Sequence, residues 1–170
     1  MTTHATPLPA ARAITEPVLA ELRASDDAGR PATAVTDAEG GAPLRCCLRR
    51  SGRGERVALV SYAPLRRWAA DTGAEPGAYD EQGPVFIHAE PCGGPAPLGG
   101  PAFTGAHRVL RRYSRDGHIL GGRLVTPPED VAAALGEAFA DPEVALVHVR
   151  AVEYGCFLYE VRRPVTSPGS

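Results

Sequence analysis

The sequence predicts an α+β fold: one domain on a mainly antiparallel sheet of about seven strands, with two or three helices packed on it. Three observations carry that expectation. Short apolar runs with strand-like alternation recur from Leu44 to Arg163, and two neighbouring pairs of them are joined by turn-length connections. Helical patterns are few and short. Of the 35 Leu, Ile, Val and Phe residues, 28 lie in residues 43–163 and only 6 in residues 1–42, so one core is expected in the later segment. Residues 1–42 then form a loosely structured N-terminal region with one short helix, and 164–170 a flexible tail.

The elements follow in order. Thr15-Glu16-Pro17, with Val18, Leu19 and Leu22 behind it, reads as a short helix with a Thr cap and an early proline. Residues 25–42 show no periodicity and read as loop. Leu44 to Arg49 and Val57 to Ala63 are strands, separated by the turn Ser51-Gly52-Arg53-Gly54. Pro64 opens a helix through Thr72, with Leu65, Trp68 and Ala69 on one face and Gly73 as its stop. Pro84 to Glu90 is a strand. The segment 91–105, with five Gly and four Pro, reads as a long loop of the kind used as a lid or binding loop. Arg108 to Tyr113 and His118 to Val125 flank Ser114-Arg115-Asp116-Gly117, a hairpin signal. Thr126 and Glu129 form a capping box that launches a helix from Glu129 to Ala140, burying Val131, Leu135, Ala138 and Phe139. Val144 to Arg150 and Cys156 to Arg163 make the last hairpin.

Composition excludes several functions. The net charge of −2 gives no electrostatic footprint for nucleic acid, and no apolar run approaches the roughly 18 residues of a membrane span. Met1 to Arg12 has neither a basic start nor an apolar stretch, so no secretory signal is read and a cytoplasmic location is expected. All 18 basic side chains are Arg, which removes Schiff-base chemistry by Lys and a P-loop lysine. No Gly-rich dinucleotide motif, nucleophile elbow or His-Glu-x-x-His motif occurs. The four cysteines, Cys46, Cys47, Cys92 and Cys156, are expected as reduced thiols, with Cys46 and Cys47 on opposite faces of their strand.

Alternation in the last hairpin places Leu146, His148 and Arg150 on one face. A five-residue connection over 151–155 sets Arg150 opposite Cys156 and brings His148 diagonally within reach of it, whereas one bulge would shift those pairings. A thiol with a fixed cation and an imidazole nearby is the arrangement nucleophilic or redox chemistry needs. The bland reading is equally concrete: free cysteines are commonly buried, and His148 is then a satisfied core histidine. His88 and Cys92 form a His-x3-Cys pair; with His148 and Cys156 they offer two imidazoles and two thiols, a zinc-type donor set. An Arg-lined pocket would suit a carboxylate or phosphate.

Pro43-Leu-Arg-Cys-Cys-Leu48, Gly54-Glu55, Leu59-Val-Ser-Tyr62, Tyr79, Gly83-Pro-Val-Phe-Ile-His88, Arg111-Arg112-Tyr113, Val147-His148 and Gly155-Cys156-Phe157 together resemble the bacterial family known as domain of unknown function 1203. The resemblance spans about residues 43–163. It implies a small soluble protein whose characteristic polar positions correspond to Cys46 or Cys47, Tyr79, His88, His148 and Cys156. The chain departs from that pattern after His148, where Arg150 and Ala151 replace a second His and an Asn. That counts against a metal held by a His-x-His pair.

The leading expectation is a small-molecule enzyme in which Cys156 is the thiolate, Arg150 its electrostatic partner and His148 the base, with Tyr79, His88 and Arg111 binding substrate. The alternatives are a non-catalytic ligand- or protein-binding module with structural Cys and His, and a zinc-stabilised domain using His88, Cys92, His148 and Cys156. No nucleic-acid or membrane partner is expected.

Overall fold

The computed structural model describes residues 9–97, 102–104 and 106–164. Within them the chain runs α1 (Glu16–Ala24), β1 (Ala34–Asp37), β2 (Pro43–Leu44), β3 (Arg49–Arg50), β4 (Glu55–Tyr62), α2 (Pro64–Thr72), a short 3-10 turn (Gly77–Tyr79), β5 (Gly83–His88), β6 (Arg108–Tyr113), β7 (Ile119–Val125), α3 (Val131–Ala140), β8 (Leu146–Ala151) and β9 (Phe157–Arg162). The fold is α+β, as expected, but the described strands number nine and form two sheets. One sheet has the order β1-β4-β5-β2-β3 and the other β7-β6-β8-β9; only the β2–β5 pairing is parallel.

Two local differences raise the strand count. Ala34–Asp37 lies in a segment expected to be loop, yet it pairs antiparallel with β4, Val35 opposite Val57. Its side chains are largely exposed, so it carries no alternating apolar signal; backbone pairing along the edge of β4 holds it. The strand expected over Leu44 to Arg49 is instead two two-residue strands joined by a turn at residues 45–48. Leu48 takes a left-handed φ of 57°, which folds β3 back on β2.

The first two helices begin where their prolines put them, although Thr15, the N-cap of α1, makes no side-chain capping hydrogen bond. Pro17 and Pro64 stand in the first turns of α1 and α2, and Gly73 ends α2 with a left-handed φ of 79°. The third helix begins two residues later than expected. Glu129 accepts from the Thr126 N–H (3.2 Å), and Asp130 is the true cap, accepting from Ala132 N–H (2.9 Å). Gly117, at φ 84°, closes the β6–β7 hairpin, with its N–H donating to Ser114 O (2.9 Å).

Each sheet has its own core. Against the first, α1 buries Leu19 and Leu22 beside Leu44, Val57, Val60 and Ile87. Full burial of each leucine is worth about 1.5–3 kcal/mol, enough to tie the N-terminal helix to the domain. Against the second, α3 buries Val131 and Leu135 on Leu110, Val147, Val149 and Val161. Phe157 of β9 packs into the core of the first sheet and edges against Tyr62 (ring centroids 5.7 Å), so it joins the two. Of the tail expected over 164–170, residues 165–170 lie outside the described residues, as do 98–101 and 105 of the Gly/Pro loop. No helix among the described residues is long and apolar enough to cross a membrane.

Candidate metal centre and the neighbouring cleft

The turn between β2 and β3 turns both adjacent thiols toward the end of β5. Cys46 and Cys47 are buried, with their Sγ atoms 3.9 Å apart and unbonded. His88, the last residue of β5, places Nδ1 3.4 Å from Cys46 Sγ and 3.8 Å from Cys47 Sγ. Cys92 completes the group, and all four donor atoms lie within 4.8 Å of one another. Three long-range hydrogen bonds hold this arrangement. The His88 backbone N–H donates to Cys46 Sγ (3.2 Å), and Arg23 of α1 donates to the carbonyls of His88 and Glu90 (both 3.2 Å). The N-terminal helix thereby fixes the stretch of chain between His88 and Cys92.

The other face of the imidazole is also engaged. Glu55 Oε2 lies 3.1 Å from His88 Nε2, and Arg49 binds the same carboxylate through Glu55 Oε1 at 2.8 Å. A proton on Nε2 shared with Glu55 leaves the Nδ1 lone pair aimed at the thiols, the orientation a carboxylate imposes on a metal-binding histidine. Arg49 holds the Glu55 carboxyl down at about 2, so it is an anion at neutral pH. Of the two adjacent thiols, Cys47 is drawn down to about 6 by the hydrogen bond from Cys46, with help from the Arg49 backbone N–H and from His88. Cys46, which supplies that hydrogen bond and is more deeply buried, is pushed up.

The remaining sequence-predicted residues divide between two places. Arg150 and Cys156 line a cleft of about 850 Å³ between the sheets. The hairpin register is the bulged one: Arg150 is opposite Phe157 and His148 opposite Glu160. Cys156 Sγ receives a hydrogen bond from Arg45 Nη2 (3.4 Å). His148 does not line the cleft. It is buried against the edges of Tyr113 and Phe157 (4.8 and 5.0 Å), with Nε2 2.9 Å from Glu160 Oε1. Burial pushes its imidazole below the ordinary value despite the opposing pull of Glu160.

Glu81, at the cleft rim, bridges Arg111 and Arg150. Tyr79 stands half-exposed on the 3-10 turn, its ring 5.1 Å from that of His118. The structure thus brings His88 and Cys92 together, but with Cys46 and Cys47 in the places expected for His148 and Cys156. The missed signal was Cys46-Cys47 itself. Read as a strand, its side chains diverge; in a tight turn they converge.

A family model described as Protein of unknown function (DUF1203) matches residues 41–163. No curated protein and no solved structure matches the chain.

Proposed function

The chain belongs to the DUF1203 family, and we propose that it is a zinc-binding domain whose ligands are the sulfurs of Cys46, Cys47 and Cys92 and Nδ1 of His88. The convergence of those four donors carries the proposal. A tetrahedral zinc with Zn–S about 2.3 Å and Zn–N about 2.0–2.1 Å requires S···S near 3.8 Å and S···N near 3.6 Å. The observed separations are 3.9 Å between Cys46 and Cys47, and 3.4 and 3.8 Å from them to His88 Nδ1. Thiolate-rich tetrahedral sets favour zinc over hard cations such as magnesium or calcium.

Four protein ligands leave no open position for water or substrate, so the site is structural. It ties the β2–β3 turn to the end of β5 and to the chain that follows. Three thiolates and one neutral imidazole around Zn²⁺ leave a net charge of −1, beside which stands Arg49, itself paired with Glu55.

The test is native mass spectrometry of freshly purified protein against its denatured mass, with the metal identified by elemental analysis. The expected result is one zinc per chain, absent from the double variant Cys46→Ser/Cys92→Ser. A native mass without metal, after refolding with excess zinc, overturns the proposal.

A second reading is a small-molecule enzyme with Cys156 as nucleophile and Arg150 beside it. One observation favours it: Cys156 lies on the cleft wall in contact with a guanidinium. His148, held by Glu160 away from the cleft lining, has no part in that version. Rapid alkylation by iodoacetamide, lost in Cys156→Ser, is its expected signature; equal labelling of the variant removes it.

A further inference from the structure

We propose that the cleft between the two sheets binds a small organic acid with an apolar body, its carboxylate set against Arg45 and Arg150. The charge balance of the cleft is the starting point. Arg45, Arg50, Arg108 and Arg150 line it against two carboxylates, Glu81 and Glu153. Glu81 is already shared between Arg150 (3.2 Å) and Arg111. The cleft therefore carries a surplus of positive charge.

Arg45 is the unusual member. Only 2 % of it is exposed, yet among the described residues no carboxylate pairs with it. Its donors go to the carbonyls of Phe157 (2.8 Å) and Pro43 and to Cys156 Sγ. Carbonyls satisfy N–H groups but do not neutralise a guanidinium, and an uncompensated buried charge is costly. Arg50 and Arg108 likewise donate to carbonyls, of Gly41 and of Phe103 and His107. No residue outside the described ranges has an acidic side chain.

The rest of the wall sets the ligand's body. Leu59, Tyr62, Phe86, Phe157 and Leu158 make the cleft predominantly apolar, and Leu59 is 53 % exposed toward solvent. A volume of about 850 Å³ falls in the range of small-molecule sites. Apolar walls with an arginine surplus among them fit an aliphatic or aromatic carboxylate better than inorganic phosphate, which offers nothing to the walls. None of the four proposed zinc ligands lines the cleft, so this inference stands apart from the metal reading.

Isothermal titration of the purified full chain at pH 7.5 tests it, with decanoate, decyltrimethylammonium and inorganic phosphate as probes. Decanoate is expected to bind, the cation of equal chain length is not, and Arg150→Gln weakens decanoate binding at least tenfold. Arg45→Met is the more direct variant, but Arg45 is buried; Arg150 lies closer to solvent and keeps the test independent of folding. Decanoate is also expected to slow alkylation of Cys156 on the cleft wall. Equal binding of decyltrimethylammonium, a preference for phosphate, unchanged affinity in Arg150→Gln, or no decanoate heat at millimolar concentration each overturns the proposal.

Discussion

His148 should make this protein lose stability as the pH falls from 7.5 to 5.5, through a mechanism one substitution can isolate. The ring is 1 % exposed, and among the described residues its only polar partner is Glu160, through Nε2. Nδ1 is buried without a hydrogen-bond partner among the described residues. Protonation would place a second N–H on that nitrogen with nothing to receive it, so burial holds the folded-state imidazole below its ordinary value of 6.5. The unfolded chain takes up a proton near 6.5 while the folded chain resists. Stability from this group is therefore complete above 6.5 and declines as pH falls below it. For a ring that stays neutral when folded, the loss is up to about 1.4 kcal/mol at pH 5.5 relative to pH 7.5.

Glu160 is also held low. Its partners His148 and Arg162 outweigh the opposing effect of burial, so its own contribution is lost only in more acid solution, below 4.5. Urea unfolding followed by the fluorescence of Trp68, the single and buried tryptophan, measures the effect at pH 7.5, 6.5 and 5.5. His148→Gln keeps an amide donor for Glu160 and removes the titration. The stability advantage of the parent protein over this variant is expected to shrink as the pH falls. Parallel stability curves, or an advantage that grows with acid, would show a protonated ring paired with Glu160 in the native state and refute the reasoning.

Other perturbations have equally definite outcomes. Glu55→Gln removes the charge behind His88 Nε2 and should weaken zinc about 10–100-fold in chelator competition, with the far-UV spectrum unchanged. Leu146→Ala, at a fully buried position beside Trp68, should cost about 2–5 kcal/mol in urea unfolding. Gly117→Ala forces a side chain into φ 84° with Cβ 3.0 Å from Pro76 Cβ, and should lower stability by more than about 1 kcal/mol.

Most helices and hairpins were legible because their signals are local. Pro64 and Gly73 bracket α2, Gly117 closes its turn, and the alternation in β8 correctly separates Val147 and Val149 from His148. The α+β class was legible as well, and so was His88 with Cys92 as a candidate donor pair, since the two stand four positions apart at a strand end. Which thiols meet that pair was decided only in three dimensions. The left-handed turn at Leu48 reverses a segment that reads as a strand, and β2 then docks parallel to β5, 42 residues away in sequence. The β8–β9 bulge likewise set which residues face His148, giving it Glu160, while Arg45 reached Cys156 from 111 residues away. Local propensity limits what each backbone segment can adopt. Partners across sheets are chosen by burial and charge compensation, which exist only once the two sheets have packed.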